Sequence, residues 1–228
     1  MLEQALYRQQ DLDRVRALVD EDGWVTLVSF VPDDGLVVSH LPIILDPARA
    51  DATVLGHLAR KDAEAHELGT REVVIIVAGP DGYVSPSFYQ DGPYVPTWNF
   101  QVLHLHGRPA LLPAEETYDV LERTVDHFEA RRPVPWQLPS VAGYARKIAP
   151  HTTGFRLTPR RLVGKAKLSQ EKPRETALRV ITALENEADV HYNPSLAAAM
   201  RHTLLVDGRP SASSHTDALA RRGENRTA

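Results

Sequence analysis

Apolar and polar positions change period several times along the chain. Leu12, Val15, Leu18 and Val19 recur at helical spacing behind Asp11, which predicts a helix capped by Asp11 and ended at Gly23. Trp24–Val31 then reads as a buried strand, Asp33-Asp34-Gly35 as a turn, and Leu36–Leu45 as the returning strand of a hairpin. Short strands are predicted over Thr53–Leu58 and Val73–Ala78, with the polar Arg60–Leu68 stretch between them as a loop or short helix. Gly79-Pro80-Asp81-Gly82 predicts a sharp turn, and Pro86 makes Tyr83–Tyr89 an edge segment because proline has no N–H for a central ladder. Trp98–Leu112 alternates and predicts the longest strand. Pro113 opens a helix over Ala114–Arg131, with Tyr118, Leu121, Val125 and Phe128 on one face. Ser140–Ile148 reads as a short helix, Thr152–Leu157 as a last strand and Pro173–Glu187 as a further helix.

These elements give six or seven strands, clustered early, and three main helices, mostly late. The fold class expected is mainly β (α+β): a small closed antiparallel barrel with flanking helices. Residues 1–205 read as one domain and 206–228 as a polar tail with few apolar residues. No internal repeat and no glycine-rich phosphate loop is present.

Composition narrows the function classes. Hydrophobic residues make up 43% and charged residues 25% of the 228, as in a globular chain. The formal net charge of −4 argues against a protein held on nucleic acid chiefly by phosphate neutralisation. The absence of cysteine removes disulfides, thiolate metal sites, Fe–S clusters and a thiol nucleophile, so any metal must be held by oxygen or nitrogen ligands. No apolar run is long enough to span a bilayer and Met1–Asp20 has no apolar signal core, so the expected location is the cytoplasm.

Four segments carry a family resemblance: Ser39-His40-Leu41-Pro42; Gly56-His57-Leu58-Ala59-Arg60; Tyr83–Tyr89 running into Val95-Pro96-Thr97-Trp98-Asn99-Phe100; and Leu162–Gln170. In order and spacing they resemble the PaiB-like proteins, described as FMN-binding split-barrel transcriptional regulators. The resemblance implies a split β-barrel, a homodimer and cofactor sites at the dimer interface. It departs from the PaiB pattern after Ala59-Arg60, where those proteins continue with asparagine-proline-glutamine-tryptophan. Here the chain reads Lys61-Asp62-Ala63-Glu64-Ala65-His66-Glu67-Leu68. With Arg60-Lys61, this stretch resembles the haem-dependent piperazate synthases of the same family. The implied activity is cyclisation of N5-hydroxy-L-ornithine to L-piperazic acid on haem b, forming an N–N bond with loss of water. The alternatives are an FMN-binding regulator of the PaiB type and an FMN-dependent oxidoreductase.

On this reading His66 is the axial haem ligand, since a neutral imidazole can hold iron, and His57 is its nearest rival. His40 and His57 lie in the shared motifs and are candidate cofactor contacts, as are Trp98 and Asn99 at the head of the long strand. Arg60 and Lys61 are candidate contacts for a substrate carboxylate or the cofactor propionates. Cyclisation needs a deprotonated α-amine, with Lys61 or Glu64 as the base. His104 and His106 share a strand face but have no third ligand at a fitting spacing, and read as barrel-lining or interface residues. Lys165 and Lys167 read as solvated.

Overall fold

The structure is a computed structural model and describes residues 1–206. Nine strands run in the order β1 (Arg8–Gln9), β2 (Trp24–Val31), β3 (Gly35–Leu45), β4 (Val54–Ala59), β5 (Val73–Val84), β6 (Thr97–Gly107), β7 (Ala110–Leu111), β8 (Thr152–Leu157) and β9 (Arg161–Lys167). The helices are α1 (Leu12–Glu21), α2 (Arg60–Ala65), α3 (Pro86–Tyr89), α4 (Ala114–Glu129), α5 (Ala142–Ile148), α6 (Arg174–Leu184) and α7 (Pro194–Val206). Among the described residues no helix is long and apolar enough to cross a membrane.

The chain forms two compact units. One holds residues 8–79 and 102–165, the other residues 1–7, 80–101 and the chain from Ala166 onward. The first is a mainly antiparallel sheet curled into a half-barrel with flanking helices, the split barrel that the family resemblance implies rather than the closed barrel suggested by the strand pattern. The sheet order is β1-β9-β6-β5-β2-β3-β4-β8-β7. The β2–β3 hairpin pairs Trp24 with Pro42 and Phe30 with Leu36, closed at Gly35, whose φ of 78° suits a residue without Cβ. Alternation then sorts the faces. Val25, Leu27, Leu41, Ile43, Val73, Ile75, Leu103 and Leu105 fill the barrel with Val15 and Val19 of α1. Asp11 caps α1 by accepting the Arg14 N–H at 3.0 Å.

The second unit has its own core: Phe88 and Tyr89 of α3, Val180, Ile181 and Leu184 of α6, and Leu196, Ala197 and Met200 of α7. Its helix α7 was not expected from the sequence, although Leu196-Ala197-Ala198-Ala199-Met200 is rich in good helix formers. The tail expected over 206–228 lies, beyond Val206, outside the described residues.

Two local expectations are corrected. The Gly79–Gly82 stretch is not a turn: β5 runs through it to Val84. The only glycines at positive φ among the described residues are Gly35 and Gly69, so Gly79 and Gly82 do not use the freedom a tight turn requires. Asp81 is instead held within the strand by side chains, its Oδ1 accepting from Trp98 Nε1 at 2.9 Å and its carbonyl from Asn193 Nδ2 at 2.8 Å. Residues 161–167 form β9 rather than a solvated basic segment. Lys167 donates to the Trp98 carbonyl at 3.1 Å and to Thr97 Oγ1, so its ammonium ties down backbone.

Candidate functional site

A cavity of about 690 Å3 lies between the sheet of the barrel unit and the helices packed on it. Its volume falls within the roughly 300–1,000 Å3 of small-molecule sites. The strands contribute Trp24, Pro42, His57 and Thr152; α4 contributes Leu121, Thr124, Val125 and Phe128; Trp136, Leu138, Ala145 and Ile148 complete the wall. The apolar stripe read along α4 divides in two. Tyr118 is buried beside a second cavity, while Leu121, Val125 and Phe128 line this one. Thr124 presents little polarity to it, because its hydroxyl donates to the Val120 carbonyl at 2.7 Å.

Close backbone contact sets α4 at this height. Gly154 on β8 faces His57 across the strand pair. A Cβ there would stand 2.7 Å from Thr117 Oγ1 and 3.0 Å from Thr117 Cα, so only glycine lets the helix approach this closely. The Gly154 N–H uses that approach, donating to Thr117 Oγ1 at 3.2 Å. At the other end Glu129 Oε2 accepts from the Trp136 backbone N–H at 2.8 Å, which fastens the Trp136 loop to α4.

His57 is the distinctive group of this wall. Its Nδ1 is buried and has no hydrogen-bond partner, an unusual state for a buried polar atom. Burial pushes the imidazole below its ordinary value of 6.5, so the ring is neutral at pH 7 and keeps a lone pair for a ligand. His40 lies nearby on the hairpin: the Thr26–His40 pair follows the cavity-lining Trp24–Pro42 pair on the same sheet face. Its Nδ1 meets Thr26 Oγ1 at 3.1 Å.

His66 is differently placed. The polar stretch read as a loop or short helix supplies only the six residues of α2, and His66 follows them with 0% exposure. Its Nδ1 meets Ser29 Oγ at 2.7 Å and its Nε2 meets Ser39 Oγ at 2.9 Å. Both ring nitrogens are thus engaged by serines of β2 and β3, and neither is presented to a cofactor. Burial lowers its pKa as well, partly opposed by the Asp62 charge. No local pattern points to these partners, which lie 37 and 27 residues away.

Arg60 opens α2 and lines a second cavity of about 480 Å3, with its Nε donating to the Pro150 carbonyl at 2.7 Å. Lys61 and Glu64 are exposed on α2 and line neither cavity. Trp98 and Asn99 belong to the other unit. Trp98 stands edge-on to Tyr83 at 6.3 Å, and Asn99 is fully buried with its Nδ2 donating to Ser169 Oγ at 2.8 Å. Among the described residues no three His, Asp or Glu side chains gather as a metal cluster. Trp24 was read only as part of a buried strand, and Trp136 and Glu129 were not singled out in the sequence.

Residues 1–161 match the family model described as "Putative FMN-binding domain". The protein named "Protease synthase and sporulation protein PAI 2" of Bacillus subtilis is 24% identical over 184 residues, spanning 79% of this chain and 87% of that one. Two solved structures share the fold. An FAD- and haem-binding protein of Mycobacterium smegmatis has a TM-score of 0.54 at 15% identity, over 75% of this chain and 78% of the other. The flavocytochrome Anf3 of Azotobacter vinelandii has a TM-score of 0.55 at 16% identity, over 73% and 72%.

Proposed function

The chain belongs to the family of FMN-binding domains, and from that premise we propose that it holds a flat redox-type cofactor beside His57, specifically haem b, and works as a piperazate synthase. The observation that carries the reading is the neutral imidazole of His57, a lining residue of an apolar cavity, whose buried Nδ1 has no hydrogen-bond partner. A flavin asks a histidine for a hydrogen bond at most, whereas haem iron asks for a lone pair. The fold is also one that accommodates haem in the mycobacterial protein.

His57 would hold the iron of a bound haem, in place of His66, whose nitrogens are both engaged. Bound haem would supply a Lewis-acid centre for the hydroxylamine end of N5-hydroxy-L-ornithine. The rest of the work falls to the chain. The walls from α4 and the Trp136 loop give the reacting nitrogens an apolar surrounding. Arg60 binds the substrate carboxylate and holds the α-amine within reach of N5. Lys61 or Glu64, on the exposed turn after Arg60, takes the amine proton. The amine nitrogen forms the N–N bond as the N5–O bond breaks, and the departing hydroxide and the proton leave as water.

A homodimer is part of the proposal. The outer face of the hairpin exposes Phe30, Leu36 and Val38 at 61, 72 and 53%, an apolar strip suited to burial against a second copy. The family description and the Bacillus relative favour a second reading, an FMN-binding regulator of the PaiB type, or an FMN-dependent oxidoreductase on the same barrel.

The test is incubation of haem-loaded protein with N5-hydroxy-L-ornithine. The expected product has lost one water and is cyclic, and the preparation sediments at twice the 25.3 kDa chain mass. Unchanged substrate sinks the synthase reading, and tightly held FMN on purification favours the second.

A further inference from the structure

The second cavity is lined by Arg60, Arg146, Glu115, Tyr118 and Thr153, and shares Ala149 and Thr152 with the cavity of His57. It differs in chemistry, with two guanidinium groups and one carboxylate in its wall. Arg60 arrives from the β4–α2 junction with Nε engaged by the Pro150 carbonyl. That bond orients the guanidinium, and among the described residues no other hydrogen bond to it is found. Arg146 arrives from α5. Its guanidinium lies 4.3 Å from the Tyr118 ring centroid, and its Nη1 donates to Glu115 Oε2 at 3.2 Å. Stacking on the Tyr118 ring orients it, as planar recognition of a carboxylate requires. Glu115 is 82% exposed on the side chain, so the pair is weakly held and open to exchange.

We propose that this cavity recognises the head group of an α-amino acid: Arg60 and Arg146 take the carboxylate and Glu115 the ammonium. Two cations and one anion complement a zwitterion whose carboxylate is the better-bound end. The bare Glu115–Arg146 pair is then replaced by two pairs with the ligand. Arg146 and Glu115 become specificity-determining residues that the sequence did not single out. The proposal deepens the amino-acid substrate reading above and rests on it for the substrate class.

The experiment is calorimetric titration of haem-free protein with L-ornithine, which lacks the reactive N–O bond. Putrescine, lacking the carboxylate, and 5-aminopentanoate, lacking the α-amine, are the controls. L-Ornithine is expected to bind roughly tenfold or more tightly than either control, the scale of one charge-assisted contact. Arg146→Ala should erase the preference over putrescine, Arg146→Lys should restore only part of it, and Glu115→Gln should erase the preference over 5-aminopentanoate. Both positions are on the surface, and circular dichroism checks that the three variants fold. Equal binding of the three compounds, or preferences unmoved in the variants, overturns the proposal. The two readings fail separately. Selective binding by a protein that takes up no haem sustains the head-group site and removes the synthase, whereas turnover without head-group selectivity does the reverse.

Discussion

His57 and His66 stand nine residues apart in sequence, one half-buried and one fully buried, both with pKa values pushed down by desolvation, yet they occupy opposite chemical situations. At His66 the barrel interior supplies a serine to each nitrogen. At His57 the helix-covered cavity leaves Nδ1 with none. A satisfied buried imidazole is a structural bolt, since its polar groups are already matched. An unsatisfied one carries a desolvation cost that a bound group can relieve. Burial and depressed pKa alone therefore do not separate a ligand from a core residue; the hydrogen-bond inventory does.

The largest expected difference between the two positions is in stability. His66→Ala removes two hydrogen bonds and opens a cavity between β2 and β3, so it should cost about 2–4 kcal/mol in urea unfolding. His57→Ala gives up no hydrogen bond at Nδ1 and should cost about 1 kcal/mol or less. Equal losses would erase the contrast.

A smaller effect follows from titration. Both imidazoles have folded-state pKa values below the ordinary 6.5, so the unfolded chain binds protons that the folded chain refuses. Stability is then full above about pH 6.5 and falls as pH drops through that value toward the folded-state pKa values. Thermal unfolding from pH 5 to 8 should show this slope, and it should be shallower in His57→Gln. A slope unchanged in that variant would place the proton uptake elsewhere.

Local signals made much of the barrel legible. Asp11 announced α1, Asp33-Asp34-Gly35 announced the hairpin turn, and the apolar runs on either side announced the two strands that carry Val25, Leu27, Leu41 and Ile43 into the core. Where contacts distant in sequence decide, the reading failed. Gly79–Gly82 has the composition of a turn, but Trp98 and Asn193 hold Asp81 in an extended strand. The site divides the same way. His57, His40 and Arg60 were legible as motif residues, and the structure sets His57 and Arg60 in the walls of cavities. That Ser29 and Ser39 would close both nitrogens of His66, or that Arg146 would join Arg60, follows from packing of segments 27 to 86 residues apart. No periodicity encodes those distances.

The most direct test of the account is the visible spectrum of protein purified from cells supplied with iron and a haem precursor, alongside His57→Ala and His66→Ala. The account predicts an intense Soret band in the parent protein, lost or shifted in His57→Ala and kept in folded His66→Ala. Two broad flavin bands in place of the Soret band, or a Soret band that His57→Ala leaves untouched, would contradict it.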